Sequence, residues 1–570
     1  MPNASVLLSF MVMRSLVGRR KAILVSVRMR NQREEKNSMY EEHALWIGTA
    51  EEKRCVLLPA MANRHGLIAG ATGTGKTVTL KVMAESFSDC GVPVFLADVK
   101  GDLAGMCMPG EENGVLRERM ERFGLGQTGF SFRPYPVRFW DIYGKSGIPL
   151  RTTISEMGPT LLARLMDLNQ TQSDILKIVF RIADENGLLL LDAKDLRSML
   201  QHVYENSKEY SAEYGNMAKQ SISAITRAVV ALEEEGADEF FGEPALEIRD
   251  WFSVNENGQG RINILDCQSL IRSPLMYSTF MLWMLSELFE LLPEAGDLDK
   301  PKMVFFFDEA HLLFDHAPKA LLQTIEQVVK LIRSKGVGIY FVTQNPADIP
   351  DAVLSQLGNK VQHALHAYTP AEQKKVKAAA SAFYTNPEFD TFEAITGLGI
   401  GEALVSFLDM AGKPSVVERV FILPPQSRMG AIGDSQREQM IREDSLFSRY
   451  GEMVDRESAY EMLMKRAEEQ EEAREEEKKR LLQEKEEEKK RRLEEKEEAK
   501  RLQKEEREAE QLKKKQTAAL GRVAKTATGT IGREVGNEIG QKIGGSFGKR
   551  LGGNLGAALG RNLLDTLLRR

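Results

Sequence analysis

Apolar residues along this chain follow two alternating rhythms. Continuous runs recur at 66–70 ("GLIAG"), 92–98 ("VPVFLAD"), 261–270 ("RINILDCQSL"), 302–311 ("KMVFFFDEAH") and 336–346 ("GVGIYFVTQNP"). Such runs suit strands buried on both faces. Between them the apolar positions fall three and four apart, as in "KTVTLKVMAESF" at 76–87, which predicts helices. Further strand runs follow at 360–368 ("KVQHALHAY"), 402–408 ("EALVSFL") and 415–425 ("SVVERVFILPP"), and the fold is expected to close near Pro425. The pattern predicts an α/β domain over 39–430, a mainly parallel sheet with helices on both faces. Residues 150–255 interrupt it with helical spacing in "TLLARLMDLNQTQSDILKIVFRIADENG" and "MAKQSISAITRAVVALEEEG", so a helical insertion is expected there.

The rhythm then changes. Residues 431–520 are assigned to a charged helical arm, most pronounced over 456–515, where glutamates precede basic residues by four: Glu475 with Lys479, Glu486 with Lys490, Glu488 with Arg492. Leu481, Leu493 and Leu502 do not keep a 3.5-residue period, which favours a solvated single helix over a coiled coil. In 521–570 glycine returns every fourth residue from Gly532 to Gly560, each after an apolar residue, in the manner of a glycine zipper. Small residues at that spacing let two backbones approach closely. Self-association or docking on a protein partner is the first reading of this amphipathic tail, binding at a membrane surface the second and disorder the third. Charges such as Arg533, Glu538 and Lys549 oppose full insertion. Residues 1–38 read as a disordered leader or an extension ahead of a start at Met39, since "SVLLSFMVM" is short for a membrane span.

Composition narrows the picture only a little. The 570 residues are 42% hydrophobic, enough for a large core, and carry a formal net charge of −6. That balance opposes a uniformly basic surface but leaves room for a locally basic groove. Cys55, Cys90, Cys107 and Cys267 lie far apart in the sequence, without zinc-ligand or disulfide-framework spacing, which fits a cytoplasmic setting.

Chemistry concentrates where the strand runs end. Gly70, Ala71, Thr72, Gly73, Thr74, Gly75, Lys76 and Thr77 match GxxxxGK[ST] in full, between a strand and a helix. Glycines there let successive amide hydrogens curl around phosphate oxygens at a helix N-terminus. Lys76 would reach the β- and γ-phosphates of a nucleotide, and Thr77 would offer its hydroxyl to Mg2+. A second run ends in Asp98, Lys100 and Asp102 at the edge where parallel sheets bind ligands. "VFFFDEAH" delivers Asp308, to hold Mg2+ through water, and Glu309, to polarise the attacking water; a plain helix cap is the bland alternative. "FVTQNP" brings Thr343 and Gln344 to the same edge on a strand expected between the other two, with Gln344 as a γ-phosphate sensor or a simple turn residue.

Taken together, "GATGTGKT", "FLADVKGD", "FFFDEAH", "LIRSKGVG" and "FVTQNP" resemble the HerA/FtsK superfamily of P-loop motor ATPases, and within it the bacterial YjgR-type HerA-like helicases. The resemblance covers roughly residues 40–430. It implies a RecA-like core, ATP and Mg2+ as cofactors, and a homo-oligomer, a hexameric ring moving along double-stranded DNA. It carries the family's loop lysine and threonine onto Lys76 and Thr77, its acids onto Asp308 and Glu309, and its strand-tip glutamine onto Gln344. It also assigns Arg333 as an arginine acting on a neighbouring subunit's nucleotide, with Lys335 the weaker candidate. A cation in a helix's last turn is the ordinary alternative for Arg333. HerA carries a substantial β-barrel before its P-loop, whereas about thirty residues separate Met39 from Gly70 here, so DNA loading and partner docking that depend on that barrel are not carried over.

An ATP-hydrolysing motor on DNA is therefore the leading expectation. Its rival is an ATP-gated scaffold or membrane-surface assembly factor, peripheral at the inner membrane, that does not act on DNA.

Overall fold

Residues that the apolar runs mark as strands assemble into one twisted sheet. The computed structural model describes residues 40–520 apart from positions 42, 43, 52, 129, 316 and 318, in two units that meet in sequence between Glu468 and Glu469. The expectations for 1–38 and 521–570 lie outside the described residues.

Among the described residues the strands are β1 (Tyr40–Glu41), β2 (Ala44–Ala50), β3 (Lys53–Leu57), β4 (Gly66–Ala69), β5 (Val94–Asp98), β6 (Val137–Asp141), β7 (Ile148–Pro149), β8 (Ile262–Asp266), β9 (Met303–Phe307), β10 (Val337–Thr343), β11 (Asn359–Gln362), β12 (Glu402–Ser406) and β13 (Glu418–Ile422). Their order is β1-β2-β13-β12-β11-β4-β10-β9-β5-β8-β6-β7, with β3 also paired to β2. From β11 to β7 all neighbours are parallel, and the β2, β12 and β13 side is antiparallel. The principal helices are α1 (Lys76–Asp89), α2 (Gly114–Arg122), α3 (Ile154–Leu165), α4 (Gln170–Glu185), α5 (Ala193–Glu205), α6 (Lys219–Glu234), α7 (Pro274–Leu291), α8 (Lys319–Leu331), α9 (Pro370–Ser381), α10 (Asp434–Glu443) and α11 (Ala459–Leu520).

Every residue of β4, β5, β9 and β10 is buried, as continuous apolar runs require. Aromatic rings weld the centre: Phe306 of β9 stacks on Tyr340 of β10 with centroids 5.1 Å apart, and Phe87 of α1 packs on both. Gly66 is required beside them, because a Cβ there would fall 2.3 Å from the Tyr340 ring.

The interruption between β7 and β8 contains α3 to α6. Their starts are fixed by side-chain caps with reciprocal bonds, Thr153 with Glu156, Asn169 with Gln172 and Asp192 with Asp195. A break at Gly158, with φ 71°, precedes Pro159 inside α3.

Residues 431–458, grouped from composition with the charged arm, instead pack on the sheet domain. Arg437 bonds Asp266 at 2.9 Å, Arg138 bonds Asp444 at 2.9 Å, and the fully buried Tyr450 donates its hydroxyl to Asp250 at 2.6 Å. Their charges read as solvated in sequence because each partner lies far away along the chain. The start of α11 is also tied down: Ser458 Oγ donates to Asp195 at 2.5 Å, and Lys194 lies over the Tyr460 ring.

Farther along, the described side chains of α11 are mostly exposed and laced by ion pairs of Glu475 with Lys479 and Glu488 with Arg492. Arg480 with Glu484 and Arg501 with Glu505 run in the opposite sense. Among the described residues no helix is long and apolar enough to cross a membrane.

Candidate active site

The carboxyl edge of the parallel strands gathers most of the residues that sequence singled out. β10 lies between β4 and β9, with Thr343 opposite Ala69 on one side and Phe341 opposite Phe307 on the other. The loop after β4, the pair after β9 and Gln344 after β10 therefore emerge side by side.

Glycine is needed where the loop bends hardest. Gly70, Gly73 and Gly75 have φ of 155°, 79° and 119°, outside what other L-residues adopt easily. At Gly70 a Cβ would also lie 2.4 Å from the Cβ of His363. The loop is stitched in place by Ala71 N–H to Ala364 O at 2.8 Å and Thr74 Oγ1 to Ala71 O at 2.7 Å. Gly75 is the N-cap of α1, so the helix's free amides face the loop. Thr77 is the second residue of that helix.

Lys76 is 7% exposed, and its Nζ donates to Gly70 O at 2.7 Å and Ala71 O at 3.1 Å, across the mouth of the loop. Burial lowers its pKa, while the charges of Glu309 and Asp308 pull the other way. Lys76 and an acidic pair more than two hundred positions away thus share one electrostatic neighbourhood.

Asp308 and Glu309 are both buried. Burial pushes the Asp308 carboxyl up to about 6, and the adjacent Glu309 charge adds to the rise. For Glu309, burial alone would raise the pKa, but Lys100, Gln344 and His311 outweigh it and hold the carboxyl below its ordinary range. Lys100 Nζ pairs with Glu309 Oε1, Gln344 Nε2 donates to Oε2 at 3.3 Å, and His311 Nδ1 lies 3.3 Å from Oε2. Glu309 has φ 46°, uncommon for a residue with a side chain. Thr343 is turned away, donating its hydroxyl to Asp348 at 3.0 Å.

Asp98 caps the loop after β5, accepting from Gly101 N–H at 2.7 Å and Leu103 N–H at 3.1 Å. Burial, then the charge of Asp102, raise it to about 7.

Arg333 and Lys335 are not brought to this edge. They precede β10, at its amino end, in the short helix Ile332–Lys335. Arg333 is partly exposed, with Arg64 and Asp297 as charged neighbours. Lys335 is occupied within the chain, donating to Leu292 O and lying over the Phe289 ring.

Two residues outside the sequence motifs also matter here, one against the loop and one against the turn packed on it. His363, at the end of β11, sits beneath it with Nε2 2.8 Å from Thr79 Oγ1 and Nδ1 2.8 Å from Glu402 O. Burial lowers its pKa to about 4, so the ring is neutral. Arg119 of α2 reaches in from the other side and donates to Ile400 O at 2.7 Å. For His363 the available sequence signal is its place directly after a strand run; Arg119 has none.

A glycine loop on one strand, an aspartate–glutamate pair on a second and a polar-tipped strand between them define a RecA-like P-loop NTPase fold. Residues 44–551 match the helicase HerA-like C-terminal family, and the chain belongs to it.

Curated relatives include the DNA double-strand break repair helicase HerA of Sulfolobus acidocaldarius, 21% identical over 63% of this chain and 65% of that one. A probable helicase of Methanocaldococcus jannaschii is also 21% identical, over 60% of each chain. The chain thus spans 60 to 65% of the length of these relatives. Among solved structures, the bacterial conjugative coupling protein TrwBdeltaN70 superposes with a TM-score of 0.44 at 13% identity, over 66% of this chain and 88% of that one. VirB4 of Thermoanaerobacter pseudethanolicus gives 0.44 at 14%, over 68% and 98%.

Proposed function

We propose that the chain is an Mg2+-dependent ATPase that couples hydrolysis to travel along DNA, as a translocase or helicase working in a homo-oligomeric, hexameric ring. The observation that carries the proposal is the meeting of Lys76 with Asp308 and Glu309 at one sheet edge, where Lys76 feels the charges of both acids.

The residues fit the cofactor. A loop whose glycines leave its amides free to curl suits a triphosphate, and the Thr77 hydroxyl with the Asp308 carboxylate are hard oxygen donors that would hold Mg2+. The ion would supply charge neutralisation at the phosphates. Lys76 binds and orients the β- and γ-phosphates. Glu309, kept ionised by Lys100, accepts a proton from the attacking water, and Gln344, bonded to the same carboxylate, orients that water or the γ-phosphate. Arg333 is assigned to a neighbouring subunit's nucleotide, a role its partial exposure permits.

DNA enters through the relatives, whose names describe helicases and, for HerA, double-strand break repair. A cytoplasmic setting belongs to the same proposal, with a membrane-surface or protein partner for 521–570. The test is ATP turnover by the full chain with and without double-stranded DNA, across a salt series. Stimulation that fades steeply with salt is expected. Turnover indifferent to DNA at every salt concentration would favour the ATP-gated scaffold.

A further inference from the structure

A nucleotide held in this site has a direction. Asp308 and Glu309 follow β9, two places from β4 on one side of the sheet. A triphosphate whose last phosphorus faces Glu309 sends its nucleoside the opposite way, toward β11 and β12.

On that side the turn before β12 closes against the loop. Gly401 N–H donates to Thr74 O at 3.0 Å, and a Cβ on Gly75 would stand 3.3 Å from Gly401 Cα. The neighbouring Ile400 is 77% exposed. Its carbonyl receives the Arg119 guanidinium at 2.7 Å, and that guanidinium lies so close over Gly401 that a Cβ there would strike it. Arg122, one turn along α2, covers the Phe421 ring of β13 at 3.5 Å and fixes the helix to the sheet. Among the described residues no carboxylate lies within ion-pair distance of Arg119; its hydrogen bond is to a carbonyl.

An isoleucine side chain bare to water beside a phosphate loop offers a flat apolar partner a place to pack. A guanidinium plane next to it can stack on a heteroaromatic ring or donate to its oxygen and nitrogen acceptors. Building on the ATPase reading, without which the site holds no nucleotide, we propose that Ile400 and Arg119 bind the nucleoside end of a purine nucleotide. Ile400 packs on the base and Arg119 donates to base or ribose. The loop and Lys76 hold phosphate; this shelf holds the rest.

Calorimetric titration of the full chain with ADP and with inorganic tripolyphosphate, each with Mg2+, separates the two halves. Ile400→Asp and Arg119→Gln are each expected to weaken ADP by about tenfold or more and leave tripolyphosphate unchanged. Lys76→Ala is expected to weaken both ligands. Because Ile400 is exposed, its substitution leaves the packing intact, and thermal melting checks this. If Arg119→Gln loosens α2, Ile400→Asp decides alone. Unchanged ADP affinity in Ile400→Asp, or equal loss of both ligands, would overturn the shelf while leaving the ATPase reading standing. A wild-type chain that binds neither ligand would overturn both.

Discussion

Lys100 and Glu309 form an ion pair across two hydrogen-bonded parallel strands, the lysine just past β5 and the glutamate just past β9. The lysine remains 44% exposed while the glutamate is buried, so one partner faces solvent and the other the site. Removing the ammonium removes the chief influence that holds the Glu309 carboxyl below its ordinary range. Lys100→Met is therefore expected to raise the pKa of the base and move the acid limb of the kcat profile to higher pH. A pH–rate series at saturating ATP measures it, and an unmoved limb would remove Lys100 from the site.

Nucleotide capture and cleavage separate at two residues. Lys76→Ala is expected to abolish ATP binding measurable by calorimetry, since it removes the cation at the mouth of the loop. Glu309→Gln is expected to keep ATP bound while turnover falls about a hundred- to ten-thousandfold, the usual worth of a positioned base. Single-turnover kinetics beside equilibrium binding distinguishes the two, and wild-type turnover in the glutamine variant would dismiss Glu309 as the base.

Arg333 makes a prediction about assemblies. It stands at the amino end of β10, away from its own chain's loop, so a role in hydrolysis requires a second copy. Arg333→Ala mixed in increasing proportion with wild type is expected to depress ATPase activity faster than dilution alone. A strictly proportional fall would reject action between subunits.

His363 ties the loop to stability. Its folded-state pKa, lowered from 6.5 to about 4, lies below the unfolded one, so as pH falls the unfolded chain takes up a proton first. The stability held by the neutral ring is complete above about 6.5 and is lost progressively down to about 4, a loss of about 3 kcal/mol. Asp98, raised to about 7, acts in the opposite sense: its contribution is present at low pH and lost as pH rises through that value. The difference between wild type and His363→Gln, rather than either curve alone, isolates the ring. The margin in denaturant midpoint between wild type and the variant is expected to shift against wild type as pH falls from 7 to 5.

Much of this site is written locally in the chain. Gly70 to Thr77, Asp308 with Glu309, and Gln344 each end a continuous apolar run, and a parallel sheet brings the ends of such runs to one edge. What could not be seen is whatever depends on contacts distant in sequence. Arg119 meets Ile400 from 281 positions away, in a helix whose composition is merely polar. Lys100 is visible at a strand end, but nothing local shows that it crosses to Glu309. Residues 431–458 look like the start of a solvated arm because Arg437 and Asp444 find their buried partners, Asp266 and Arg138, far upstream.

The placement of β10 has a mechanical consequence. A strand laddered to a neighbour on each side cannot slide along either without breaking a row of hydrogen bonds, so β4, β10 and β9 behave as one stiff plate. Ala310 N–H, bonded to Val342 O at 2.8 Å, rivets the tip of the acid strand to it as well. Any stroke released by a nucleotide must then be carried by parts hung from that plate through side chains, such as α2 on Arg119 or the turn bearing Lys100, while the plate itself stays rigid beneath them.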